Sequence, residues 1–115
     1  ANWVLDTLLQ DKRIARATHN ISAWRIVRQE GDRRIVLADN DDDGEEAAGG
    51  RLAALLEIKD VSGVIVVVSR WWGGILLGPV RFQHINNCAL RLMEQQGIVA
   101  PGRKGQAQLR AKHKA

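Results

Sequence analysis

Val64-Ile65-Val66-Val67-Val68 is an unbroken run of β-branched residues. Such side chains are stiff at χ1 and pack well on a pleated surface, so the run predicts a strand within 61–68. It shows no apolar–polar alternation, which predicts a central strand covered on both faces. At five residues it is far short of the ~20 needed to cross a bilayer. A covered strand needs layers to cover it, and the flanking sequence supplies two helices. Residues 45–58 carry Ala48, Leu52, Leu55 and Leu56 on one face, and residues 79–96 carry Phe82, Ile85, Ala89, Leu92 and Met93. Pro79 suits the first turn of the second helix, and Gly97 its end.

The N-terminal half completes the pattern. Trp3, Val4, Leu5, Leu8 and Leu9 recur at near-helical spacing over 2–10, with Asn2 as N-cap and a continuation toward Ile14. Residues 21–28 and 33–38 read as strands of an antiparallel hairpin turning at Gln29-Glu30-Gly31-Asp32. The order α-β-β-α-β-loop-α predicts an α/β (α+β) fold, a two-layer arrangement with helices on one face of a sheet. The chain opens directly on a helix, which leaves room for a further strand before it.

The 115 residues are enough for one domain with its own core. One cysteine excludes an intrachain disulfide framework and a multi-cysteine structural zinc site, and points to a reducing, cytoplasmic setting. The first ten residues lack the basic-then-apolar layout of a secretory signal. The formal charge of +4 is unevenly placed. Arg103, Lys104, Arg110, Lys112 and Lys114 form a basic tail over 101–115 with no acid, which leaves the domain at 1–100 near neutrality. Asp39, Asp41, Asp42, Asp43, Glu45 and Glu46 cluster in an acidic loop over 39–46, and Glu45 and Glu46 would complement the dipole of the helix that follows.

Most motif tests fail on a specific residue. Asp39, Asp41, Asp43 and Gly44 match positions one, three, five and six of a calcium loop, but position twelve is Gly50 where a bidentate Glu is required. Gly73 and Gly78 have P-loop spacing, but Pro79-Val80 replaces the Lys-Ser/Thr that holds phosphate and magnesium. His84 and Cys88, at i and i+4, have no third group for a triad or a metal shell. No cofactor, metal or catalytic role is assigned. Gly49-Gly50 early in a helix implies close approach of another backbone or a ring, with the segment 70–78 as the natural neighbour. Asn86 projects near the core stripe, where its amide is expected to tie down the preceding loop.

Five blocks in order carry a resemblance: Thr18-His19-Asn20, Asp41-Asp42-Asp43-Gly44-Glu45, Ala48-Gly49-Gly50-Arg51-Leu52, the stretch 66–78 with Arg70-Trp71-Trp72-Gly73-Gly74, and Arg81-Phe82 through Ala89. Over residues 2–97 the chain resembles the Impact family. The resemblance implies a fold like the second domain of ribosomal protein S5, an opening strand lacking here, and a position C-terminal to an RWD domain. It implies no catalytic activity. It implies translational control through binding the large ribosome-associated activator of the amino-acid-starvation kinase, which limits phosphorylation of the initiation factor. Ribosome association and binding of monomeric actin are implied as well. Trp72 stands where the family more often has Tyr.

Two interaction surfaces follow. For a protein partner, the polar and Gly-rich features beyond what packing needs are Asp41, Asp42, Asp43, Glu45, Arg70, Trp71, Trp72, Gly73, Gly74, His84 and Asn87. For RNA or the ribosome, the alternative, they are the tail cations with Arg33, Arg34, Arg70 and Arg81, and Trp71 or Trp72 for stacking.

Overall fold

The computed structural model describes residues 2–71 and 78–101. Its elements are α1 (Asn2–Leu8), α2 (Lys12–Ala15), β1 (His19–Glu30), β2 (Arg33–Asp41), α3 (Ala48–Ile58), β3 (Val64–Arg70) and α4 (Val80–Gln95). The expected long first helix breaks after Leu8. A new turn begins at Lys12, where the Asp11 carboxylate accepts from the Arg13 N–H at 2.8 Å and so caps it. Asn2 is already helical rather than a cap.

The three strands form an antiparallel sheet in the order β2-β1-β3. β1 is therefore the central strand. It holds the alternation that marks a half-covered sheet: Ile21, Ala23 and Arg25 are buried, while Ser22, Trp24 and Ile26 lie on the other face. The hairpin turns at Gly31-Asp32, with Gly31 at φ +61, the left-handed region that a tight two-residue loop requires.

β3 departs from expectation. Among the described residues it is an edge strand, and its burial alternates, with Val66 and Val68 at 6% and 7% exposure and Ile65 at 37%. Five β-branched residues satisfied the propensity for a strand without demanding cover on both sides. β2 also runs further than its propensities suggest. Asp39, Asn40 and Asp41 pair with Trp24, Ala23 and Ser22, so cross-strand pairing draws poor strand formers into the sheet.

The core lies between the sheet and the two long helices, which cover one face. It joins Ile21, Ala23, Val66 and Val68 of the sheet to Leu52 and Leu56 of α3 and to Ile85, Ala89 and Met93 of α4. Leu92, expected in that stripe, is 51% exposed. Asn86 ties helix to helix: its Nδ2 donates to the Arg51 carbonyl at 3.2 Å, and most of the preceding loop, its expected partner, lies outside the described residues. Gly97 at φ +75 follows the last turn of α4, as expected.

Arg25 is the charged member of the covered face. Its Nη1 donates to the Val61 carbonyl at 2.8 Å and to Asp60 Oδ1 at 3.1 Å, and Arg34 Nη2 meets the same oxygen at 2.7 Å. Hydrogen bonds from Arg25 and then Arg34 hold the exposed Asp60 carboxyl below its usual range. A depressed carboxyl stabilises the fold above the unfolded value and stops doing so as pH falls through the folded one. Stability carried by Asp60 is therefore present at neutral pH and lost below roughly pH 3.9. Asp60→Asn should flatten the acid limb of a pH–denaturation profile; a wild-type acid limb in that variant would remove Asp60 from the account.

Candidate functional site

The acidic run resolves into separate local tasks. Asp41 ends β2, and its Oδ1 accepts from the Asp43 N–H at 3.0 Å, which starts the turn. Helix α3 begins at Ala48, so Glu45 and Glu46 precede it instead of filling its first turn. Its N-cap position is Ala47, at φ +68, which has no side-chain acceptor to offer. Asp42 supplies one from outside: its Oδ1 accepts from Gly49 N–H at 2.6 Å and its Oδ2 from Ala47 N–H at 3.2 Å. Asp43 closes the other side, accepting at Oδ2 from the Asn20 N–H of β1 at 2.7 Å.

Gly49 is the close-approach glycine of its pair, but its neighbour is this acidic turn. A Cβ there would sit 2.7 Å from both Asn40 Oδ1 and Asp42 Oδ1, and 2.9 Å from the Asp41 carbonyl carbon, while one at Gly50 would meet nothing within 4 Å.

Glu45 is 5% exposed and forms the centre of an ionic cluster. Arg81 Nε lies 2.7 Å from Oε1, and Arg70 Nη1 lies 2.6 Å from Oε2. His19 Nε2 stands 3.4 Å from Oε2, and its Nδ1 lies 2.7 Å from the Asp43 carbonyl oxygen. Arg70 ends β3 and Arg81 lies in the first turn of α4, so one carboxylate fixes both ends of the connection between them. Arg81 also donates from Nη1 to the Gly78 carbonyl at 2.8 Å and lies over the Phe82 ring, 4.3 Å from its centroid. Beside the cluster, buried Asn20 links three segments. Its Nδ2 donates to the Ile14 carbonyl at 3.0 Å, and its Oδ1 accepts from Ser69 Oγ at 2.6 Å.

The structure thus brings Asp42, Asp43, Glu45 and Arg70 together, each engaged within the domain. Trp71 is 52% exposed, its Nε1 donating to the Arg13 carbonyl at 3.1 Å. Trp72, Gly73 and Gly74, and the tail residues Arg103, Lys104, Arg110, Lys112 and Lys114, lie outside the described residues. His84, Asn87 and Cys88 are exposed on α4. Asn87 lines a 500 Å³ groove between α3 and α4 with Arg51, Leu55, Ile58 and Phe82. Sequence reasoning passed over His19 as a site residue and did not place Arg81 beside Glu45. Among the described residues, no group of three or more His, Cys, Asp or Glu side chains is placed to hold a metal ion. No described helix is long and apolar enough to cross a membrane.

Fold and site together define a small α+β domain, its sheet covered by helices on one face and its acidic turn clamped by a buried carboxylate–arginine cluster. The model of the Impact N-terminal domain matches residues 1–93, and the chain belongs to the Impact family. Among its relatives, Protein IMPACT-B of Xenopus tropicalis is 62% identical over 94 residues, covering 82% of this chain and 29% of that protein. Protein IMPACT of Homo sapiens is 57% identical over 93 residues, covering 81% and 28%. A solved structure, described as that of the two-domain translational regulator Yih1, matches with a TM-score of 0.50 and 48% identity over 80% of this chain and 35% of the other. The chain thus spans about a third of the length of these relatives.

Proposed function

We propose that this domain is a regulatory binding module of translation. It captures the ribosome-associated activator of the amino-acid-starvation kinase and restrains kinase activation, so that less initiation factor is phosphorylated. The observation that carries this reading is the 48% identity, over four-fifths of the chain, to a solved translational regulator. The geometry agrees with binding better than with chemistry. The charged groups of the cluster hold one another, and the candidate couple His84 and Cys88 stands in the open on α4. A cytoplasmic location, with ribosome or actin association, belongs to the same reading.

The alternative, an RNA- or ribosome-binding module, draws on arginines that the fold already employs. Arg34 pairs with Asp60, and Arg70 and Arg81 pair with Glu45. That leaves Arg33 and the tail to meet phosphate. The test is capture from cytosolic lysate with the full chain and with a chain ending at residue 101. Every buried core residue of the described structure precedes that point. Retention of the activator by both forms is expected. Recovery of ribosomes alone, falling with salt and lost with the tail, would favour the RNA reading instead.

A further inference from the structure

Helices α3 and α4 cover one face of the sheet; the other face carries the unassigned feature. Strand parity puts Ser22 and Trp24 of β1 there, directly opposite Asp41 and Asp39 of β2 and Val67 and Ile65 of β3. Leu5 of α1 closes one side, and the result is a cavity of 300 Å³. Its floor is apolar (Leu5, Trp24, Ile65, Val67) and its rim carries two carboxylates, Asp39 and Asp41. Beyond it, Ile26 and Leu37 pair across the strands at 39% and 40% exposure, extending the apolar strip along the hairpin.

These two acids differ from Asp42, Asp43 and Glu45. Asp42, Asp43 and Glu45 bond to backbone or arginine across the fold. Among the described residues, Asp39 accepts only from the adjacent Asn40 N–H and Asp41 only from Asp43 N–H, and neither forms an ion pair. A ligand here must satisfy an apolar floor and two unpaired anions together. A purely apolar occupant would bury the carboxylates without partners, which is costly. A phosphate backbone would be repelled, and a bare cation would leave the floor wet. A lysine or arginine side chain meets both demands, with an aliphatic stem for the floor and a cationic head for the rim.

We infer that this sheet face, opposite α3 and α4, docks a basic, partly apolar peptide segment of a protein partner, with a Lys or Arg stem over Trp24 and its charge between Asp39 and Asp41. The inference rests on the reading of the domain as a protein-binding module and specifies the partner chemistry that the module accepts.

The test is a two-component titration. The purified chain is titrated with an acetylated seven-residue peptide of alternating lysine and valine, and with its glutamate counterpart, following the Trp24 indole N–H by NMR. Trp24→Phe supplies the assignment. A saturable shift with the lysine peptide, none with the glutamate peptide, and at least tenfold weaker binding in Asp39→Asn/Asp41→Asn are expected. Both aspartates are exposed, so the double variant should keep the wild-type spectrum elsewhere. An unmoved Trp24, or unchanged affinity in the double variant, overturns the inference. So does an equal shift with oligouridylate. If truncation at residue 101 itself moves the Trp24 indole and only the truncated chain binds peptide, the occupant is the chain's own basic tail and the partner assignment falls. Peptide binding without capture of the activator would defeat the functional reading alone; capture that survives loss of both aspartates would defeat the docking face alone.

Discussion

Glu45→Gln should destabilise the domain by about 3 kcal/mol, because removing one member of a buried ionic cluster leaves the others desolvated and unpaired. Both carboxylate oxygens are in use, with Arg81 at 2.7 Å and Arg70 at 2.6 Å. An amide would turn its NH2 group toward one of the two guanidiniums. The arginines keep 16% and 29% side-chain exposure, so some water reaches them, and the estimate stays at the low end for such losses. For a domain of this size the change lowers Tm by on the order of 15 °C. The same geometry predicts an asymmetry. Arg70→Met or Arg81→Met leaves Glu45 with one cation and should cost less than Glu45→Gln, which strands both. Urea denaturation of the three variants checks the order; a Glu45→Gln loss under about 1 kcal/mol, the range of exposed pairs, would deny that the cluster organises the turn.

The second large effect is a sign reversal within two adjacent glycines. Replacing a helical Gly by Ala ordinarily stabilises by about 0.5–1 kcal/mol, because Gly loses more freedom on folding. Gly50→Ala should show that gain, since its Cβ would meet nothing within 4 Å. Gly49→Ala should instead cost about 2 kcal/mol, the range for forcing atoms into a filled space. Two of its contacts are side-chain oxygens, but Asp42 is held by its 2.6 Å bond from Gly49 N–H and cannot turn away without uncapping α3. The third, at 2.9 Å, is the Asp41 backbone. Thermal melts should move in opposite directions for the two variants. A stabilised Gly49→Ala would mean that the acidic turn does not pack on α3 as described.

Legibility in the sequence followed the range of the interactions. Local periodicities were readable: the alternation in 21–28, the apolar stripe of α3, the Pro79 start and Gly97 stop of α4, and from their order a sheet with helices on one face. Features set by distant partners were not. β2 reaches Asp41 because Ser22, Ala23 and Trp24 pair with it, against the propensity of Asp and Asn. β3 is half-covered because α3 and α4 pack on one face of the sheet, burying Val66 and Val68 while Ile65 on the other face stays exposed. Glu45 read as a helix-dipole acid, yet its partners Arg70 and Arg81 stand far along the chain, where no spacing rule reaches. The acidic run read as one recognition loop, although its members divide into capping, clamping and free carboxylates. Asp39, which lay outside the candidate partner residues, bonds among the described residues only to the adjacent Asn40 N–H and forms no ion pair. Trp24 and Asp39 share a face only through strand register, and that register links the open sheet face to the proposed role.

That role implies competition: the domain occupies a surface on the activator and keeps the kinase from it. The most direct measurement mixes purified activator and kinase, adds increasing amounts of this chain, and follows the kinase that remains bound. The account predicts dose-dependent displacement of the kinase, with the chain recovered on the activator in its place. Full retention of the kinase while the chain is bound, or no binding of the chain at all, would contradict it.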